Sequence, residues 1–425
     1  MKKVLLISLL ACIAFNAIAQ ADSAVYAKFT THQNRDIFYK NLLNRSITKA
    51  LSLPLNIDTE DKWVNAFSAI ELINYQQPWT NAKIKIAADS IQFRSLDFQQ
   101  VLLEMLYAGH RTGYVKQVNN LLNITNAAKI FAMSAEYLLL CDTSKKNIDY
   151  VIKAIEKKSG DFSKDKDAAI MQQLTAHAKE FRKKNKYLDK ATLIFLFAKD
   201  YLKGNVTVYS IQRKNRDYTG IAIVKDTAGK FIVDSTGLTF NVPQLARSLS
   251  NMPGYISNGN TPQGIYRLYG FGRSNSFFIG PTQNLQLTMP YETSLQHFLK
   301  DSTITDTSWS KKWYSLLLPE KLKNYEPLYQ SFYAGMAGRT EIIAHGTTVD
   351  PSFYTGKTYY PYTPTAGCLC TKELWDENGK RIFSGQQKLT NAVKQAGGGD
   401  GYLIVIEIDD AQKAVTINEV LPYLQ

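Results

Sequence analysis

Apolar side chains recur at steps of three and four residues through the first half of the chain. This spacing places them along one face of an α-helix. It is clearest in the segments 63–73, 98–106, 128–140 and 148–155. Phe67, Phe98 and Phe131 stand 31 and 33 residues apart, which is the scale of helical-hairpin repeats. We therefore predict an all-α domain over residues 24–200, either a helical bundle or a short α-solenoid.

From about residue 205 the pattern changes to short segments rich in Val, Ile, Thr and Tyr, separated by Gly, Asn and Asp. Such segments are typical of strands joined by turns. They cover residues 205–211, 218–224, 230–233, 264–269, 276–279, 340–344 and 401–409. Between them, residues 293–335 contain two leucine-rich turns and predict a helical insertion. The expected fold class is therefore α+β, with the helical domain followed by a mainly-β domain over residues 205–425.

The N-terminus has the organisation of a secretory signal peptide. Lys2 and Lys3 precede an apolar run over residues 4–18, and the small residues Ala17 and Ala19 frame a cleavage site. We predict that residues 1–19 are removed and that the protein is exported to the periplasm or cell envelope. The alternative is a lipid anchor at Cys12, because residues 9–12 loosely resemble a lipoprotein cleavage box. No later run reaches the roughly 18 apolar residues of a membrane span, so no transmembrane segment is expected.

The formal net charge of +13 is spread along the chain in short clusters. The sequence has no arginine-rich arm, finger or other nucleic-acid motif, so we predict no nucleic-acid partner. An exported basic protein is better matched to anionic envelope polymers. Without the signal peptide, three cysteines remain, too few for a disulfide scaffold: Cys141, Cys368 and Cys370.

One cysteine and one histidine stand out as a candidate catalytic pair. His345 ends a predicted strand and precedes Gly346, and Cys368 follows 23 residues later, after Thr365 and Gly367. We expect a helix to begin near residue 371, whose N-terminal amides and dipole would favour the Cys368 thiolate. The same amides could bind an oxyanion, and His345 could act as base and acid.

These segments resemble the signature of the L,D-transpeptidase (YkuD-type) catalytic domain. In that family a His-Gly pair precedes a Ser/Thr-His-Gly-Cys block, here His345–Gly346 and residues 365–368. Residues 261–266, Thr-Pro-Gln-Gly-Ile-Tyr, resemble a second family segment, Thr-Pro-x-Gly-x-Phe/Tyr. Two neighbours depart from the pattern: Ala366 stands where the family has His, and Cys370 where it has Arg. The resemblance covers about residues 205–425 and identifies the chain as a divergent member.

The resemblance implies a β-sandwich-like domain that transfers acyl groups between peptidoglycan stem peptides, without a metal or an organic cofactor. It implies that Cys368 forms a thioester, that His345 moves the proton, and that the Gly346 carbonyl orients the imidazole. The amides of Gly367 and Cys368 would hold the oxyanion, and Thr365 would support the loop.

Three questions stay open at this point. The same site could hydrolyse its substrate, as an L,D-carboxypeptidase or endopeptidase. The chain could instead be a catalytically degenerate envelope-binding protein, with an envelope partner on its helical domain. The tyrosine-rich loop of residues 349–364 could form a wall of the substrate groove or pack as an ordinary loop.

Overall fold

The computed structural model describes residues 24–182 and 188–424. The predicted signal peptide, residues 1–19, and the alternative anchor Cys12 lie outside the described residues. The first half is helical. Its helices are α1 (His32–Asn41), α2 (Ala50–Ser52), α3 (Glu60–Leu72), α4 (Pro78–Asp89), α5 (Leu96–Ala108), α6 (Val115–Ile124), α7 (Ala128–Cys141), α8 (Lys145–Lys158), α9 (Asp165–Glu180) and α10 (Leu193–Phe197), with a π-helical stretch at Leu42–Lys49.

Local sequence explains where these helices begin and which faces they bury. Ser95 and Ser144 cap α5 and α8, each accepting a backbone N–H from the first turn. Helix α3 packs against α5, α5 against α7, and α7 against α9. Phe67, Phe98 and Phe131 are all fully buried in the core that this stack encloses. Alternate helices that stack in this way are typical of an α-solenoid.

The second half is built on a mixed sheet that closes into a barrel. Its strands follow the order β1-β10-β4-β5-β6-β7-β3-β2, and β8 and β9 form a separate hairpin. The strands are β1 (Val206–Arg213), β2 (Gly220–Lys225), β3 (Val242–Leu245), β4 (Gly264–Gly272), β5 (Asn284–Thr288), β6 (Ala344–His345), β7 (Leu369–Thr371), β8 (Glu373–Trp375), β9 (Arg381–Ser384) and β10 (Asp400–Asp409). The mixed α+β class is thus confirmed, but the expected sandwich-like sheet is wrong, because closure joins β2 to β1.

Four helices accompany the sheet: α11 (Leu295–Leu299), α12 (Lys311–Ser315), α13 (Gln330–Met336) and α14 (Gly385–Gln395). Helices α11–α13 lie between β5 and β6, and α13 ends one residue beyond the segment 293–335. They cover the outer face of β4 and β10, where Ile265 and Ile404 belong to the same core as Tyr314 and Phe332. Helix α14 adds its apolar side chains to the core inside the barrel.

Some predicted strands are absent or shorter. Residues 276–279 form a turn, in which Phe277 packs edge-on against Phe29 and Phe38. Residues 230–233 make isolated bridges only, and of residues 340–344 only Ala344 belongs to a strand. Aromatic packing against residues distant in the chain accompanies the turn at residues 276–279, whereas residues 230–233 make only local bridges, to Lys225 and Thr239.

Candidate active site

The pairing of β6 with β7 brings the two chain segments that carry the candidate catalytic residues side by side. The strands are parallel, with Ala344 opposite Leu369 and His345 opposite Cys370. Ala344 and Leu369 belong to the core inside the barrel. Since side chains alternate along a strand, His345 and Cys370 project from the outer face, and Cys368 directly precedes β7.

The imidazole of His345 is oriented by the backbone of the next residue. Its Nδ1 contacts the carbonyl oxygen of Gly346. A carbonyl oxygen only accepts hydrogen bonds, so Nδ1 carries the proton and Nε2 keeps a free lone pair. Burial of the ring, which is 4 % exposed, lowers the pKa of His345 to about 4. The imidazole is therefore neutral at physiological pH and able to accept a proton.

The thiol of Cys368 is partly exposed and lies beside two backbone groups. Its Sγ accepts the amide N–H of Ile343 and lies 3.5 Å from the carbonyl oxygen of Glu341. No helix follows it, so the expected helix dipole is wrong: the chain continues as β7 and β8, because Leu369 pairs with Ala344. Burial raises the pKa of the Cys368 thiol, assisted by the carboxylates of Glu341 and Glu292. The group is a thiol, not a preformed thiolate.

Along the strand, Cys368 and His345 are offset by two residues, or about 7 Å. In the part of the chain that the structure describes, no hydrogen bond joins the two side chains. Catalytic hydrogen bonds of this kind often tighten only when substrate is bound. The two residues therefore lie on neighbouring segments without forming the base–nucleophile contact.

The turn before Cys368 is organised by Thr365. Its Oγ1 accepts the amide N–H of Gly367 at 3.0 Å and donates to the carbonyl of Cys368 at 2.9 Å. The Gly367 amide is therefore occupied by Thr365, and its role in holding an oxyanion stays a prediction. Among the described residues, the Cys368 amide has no acceptor and faces no such competition. Thr261 donates to the Gly367 carbonyl at 2.9 Å, which ties the upstream Thr-Pro-x-Gly segment to this turn.

Sequence reasoning missed two charged residues that support the site. Glu373 lies directly behind Gly346, where any Cβ would overlap its carboxyl group. The Glu373 carboxyl accepts hydrogen bonds from the Thr347 amide and from the hydroxyls of Thr282 and Ser384. Burial raises its pKa to about 7. The second residue, Arg339, contacts Gly367.

The tyrosine-rich loop of residues 349–364 packs mostly against the rest of the protein. Tyr354 and Tyr359 are buried with Leu245 in a small core over the outer face of the barrel. The Tyr354 hydroxyl donates to the carbonyl of Leu72, at the end of α3, at 2.7 Å. Only Tyr360 is well exposed. The loop therefore contacts both the helical half, at Leu72, and the barrel, where Thr363 contacts the Cys370 thiol.

Scans of the chain against protein-family models, curated proteins and solved structures give no match. None of the helices in the described ranges combines the length and apolar character needed to cross a membrane. Within the same ranges, no group of three or more His, Cys, Asp or Glu is placed to hold a metal ion. The function is therefore argued from the geometry around Cys368 and His345.

Proposed function

We propose that the protein is an exported cysteine acyltransferase of the L,D-transpeptidase type that acts on peptidoglycan stem peptides. One observation supports this most: a partly exposed thiol, Cys368, directly precedes β7, and the paired strand β6 carries a neutral histidine whose Nδ1 contacts the Gly346 carbonyl. A nucleophile beside a base that is itself oriented by a third group is the general arrangement for covalent catalysis.

In the proposed reaction, Sγ of Cys368 attacks the carbonyl carbon between the L-centre of a diamino acid and the following D-amino acid. Nε2 of His345 takes the thiol proton, and the Cys368 amide donates to the developing oxyanion. The C–N bond then breaks, and His345 returns the proton to the departing amine. An amine of a second stem peptide attacks the thioester, gives its proton to His345, and restores the thiol.

Acylation by a carbapenem tests the proposal, because a strained β-lactam carbonyl should be trapped as a thioester on Cys368. We expect one covalent adduct on the reduced protein, mapped to Cys368 by peptide mass spectrometry. Cys368→Ala should abolish it, and His345→Ala should slow it by about 10²–10⁴-fold, the usual contribution of a general base. Cys141→Ala removes another free thiol and should leave the adduct unchanged.

Two observations favour a second candidate, a non-catalytic envelope-binding protein. The Gly367 amide is taken by Thr365, and the pKa of the Cys368 thiol is raised. Both reduce the reactivity of the site. Absence of a carbapenem adduct on the reduced wild-type protein would support this candidate and reject the enzyme. If the adduct forms, the muropeptide products separate transfer, which yields cross-linked dimers, from hydrolysis, which yields trimmed tripeptides.

A further inference from the structure

Arg339 differs from the other buried arginines that the structure describes. The other four all pair with carboxylates: Arg213 with Asp409 and Glu419, Arg216 with Glu407, Arg247 with Asp217, and Arg267 with Asp400. Arg339 is equally buried, at 5 % exposure, but its guanidinium donates to backbone carbonyls alone. The acceptors are Gly254, Gly259 and Asn260, the last at 2.8 Å. In the described ranges no carboxylate lies within ion-pair distance of it.

A buried cation without a counter-ion is costly, so its position calls for an explanation. Burial lowers the pKa of Arg339 to about 10, which leaves the guanidinium charged at neutral pH. The three carbonyls accept three of its five N–H groups without supplying a full negative charge. The molecule therefore holds one uncompensated positive charge at this point.

The charge lies against the turn that carries Cys368. Gly367 has φ +117°, and any Cβ there would overlap Nη2 of Arg339. The guanidinium thus packs directly on the residue that precedes the candidate nucleophile. The other ionisable groups that act on the Cys368 thiol are Glu341 and Glu292, which disfavour an anion there. Arg339 is the one cation that acts in the opposite direction among the described groups.

We propose that Arg339 is the counter-charge for the anion that forms at Cys368, first the thiolate and then, if the proposed function holds, the oxyanion of the tetrahedral intermediate. It acts through the Gly367 turn as a positioning and electrostatic residue. The helix N-terminus expected from the sequence is absent, and Arg339 supplies the positive potential that the helix would have provided. The first part concerns the thiol alone and does not depend on acyl transfer.

The pH dependence of Cys368 alkylation by iodoacetamide tests this inference. The midpoint of the rate profile reports the thiol pKa whether or not the protein is an enzyme. A cation close to a thiolate lowers its pKa by about 1–3 units. We therefore expect Arg339→Met to move the midpoint upward by about one pH unit or more. Arg339→Lys keeps the positive charge and should have a midpoint close to that of the wild type. Arg213→Met removes an equally buried arginine that contacts Asp409 and Glu419, and should leave the midpoint unchanged.

An unchanged midpoint in folded Arg339→Met would overturn the inference, as would an equal shift in Arg213→Met. If Arg339→Met does not fold, a comparison of two alkylating reagents on the wild-type protein tests the same inference. Positive potential at Sγ accelerates anionic iodoacetate relative to neutral iodoacetamide, so the rate ratio at Cys368 should exceed that of an unstructured cysteine peptide. A ratio at or below the peptide value would reject the role of Arg339. If the reduced wild-type protein forms no carbapenem adduct but Arg339→Met still shows the expected midpoint shift, the proposed function is rejected and the role of Arg339 stands.

Discussion

Gly367 is the residue on which the turn before Cys368 depends most directly. It adopts φ +117°, a conformation that side chains disfavour, and its Cα faces both Arg339 and the carbonyl of Gly259. In Gly367→Ala the new methyl group must displace a buried guanidinium or the backbone. Backbone strain and overlap each cost about 1–3 kcal/mol. We expect a loss of about 3 kcal/mol in the free energy of unfolding, measured by urea denaturation.

Gly356→Ala separates these two causes. Gly356 also has a positive φ, +85°, but a methyl group added there would meet no heavy atom within 4 Å. The substitution adds backbone strain alone, so we expect a loss of only about 1 kcal/mol. Equal losses in the two variants would show that the contact between Gly367 and Arg339 does not constrain the turn.

At the scale of elements, β8 supports the His345 segment through one buried carboxyl group. The pKa of Glu373 is raised to about 7 from its ordinary value near 4.5. The folded protein therefore binds this proton more tightly than the unfolded chain does, and stability falls as pH rises from about 4.5 to 7. Glu373→Gln removes the titration. We expect its stability, relative to wild type, to improve by up to about 3 kcal/mol between about pH 4.5 and pH 8 in urea denaturation.

Glu377→Gln is the matched control for this prediction. Glu377 lies in the exposed turn between β8 and β9, so the substitution removes a carboxyl group without touching the buried contacts of Glu373. Its effect on stability should be small at both pH values. A Glu373→Gln variant that loses stability relative to wild type as pH rises would contradict the raised pKa.

The sequence predicts elements well where one segment decides its own structure. The spacing of apolar residues within α7 is enough to predict a helix, and the continuous apolar run of β10 is enough to predict a strand. The segment after Cys368 is different: its β-structure comes from pairing with Ala344 and with Leu245, which are distant in the chain. The same limit applies to the site. Cys368 and His345 stand out by motif and spacing, whereas the partners of Arg339 and Glu373 lie up to 85 and 91 residues away.

At the scale of the whole molecule, the barrel and the helical half share a core. Met252, Tyr255 and Ile256, from the loop between β3 and β4, belong to the hydrophobic core of the helices. The Tyr255 hydroxyl donates to the buried carboxylate of Glu136, which also contacts Nδ1 of His177 at 2.8 Å. The same loop continues to the carbonyls that hold Arg339. We therefore expect a disturbance in the helical core to reach the Cys368 turn through this loop.

Tyr255→Phe tests this coupling, because it leaves the Glu136 carboxylate one donor short in a buried site. Loss of such a partner costs about 1–3 kcal/mol. If the two halves unfold as one unit, circular dichroism of the helices and alkylation of Cys370, which is buried on the barrel, should report the same decrease in unfolding free energy. Tyr360→Phe, at an exposed position, should change neither. A decrease seen by circular dichroism but not at Cys370 would mean that the helical half unfolds separately, and that the loop does not transmit its stability to the Cys368 turn.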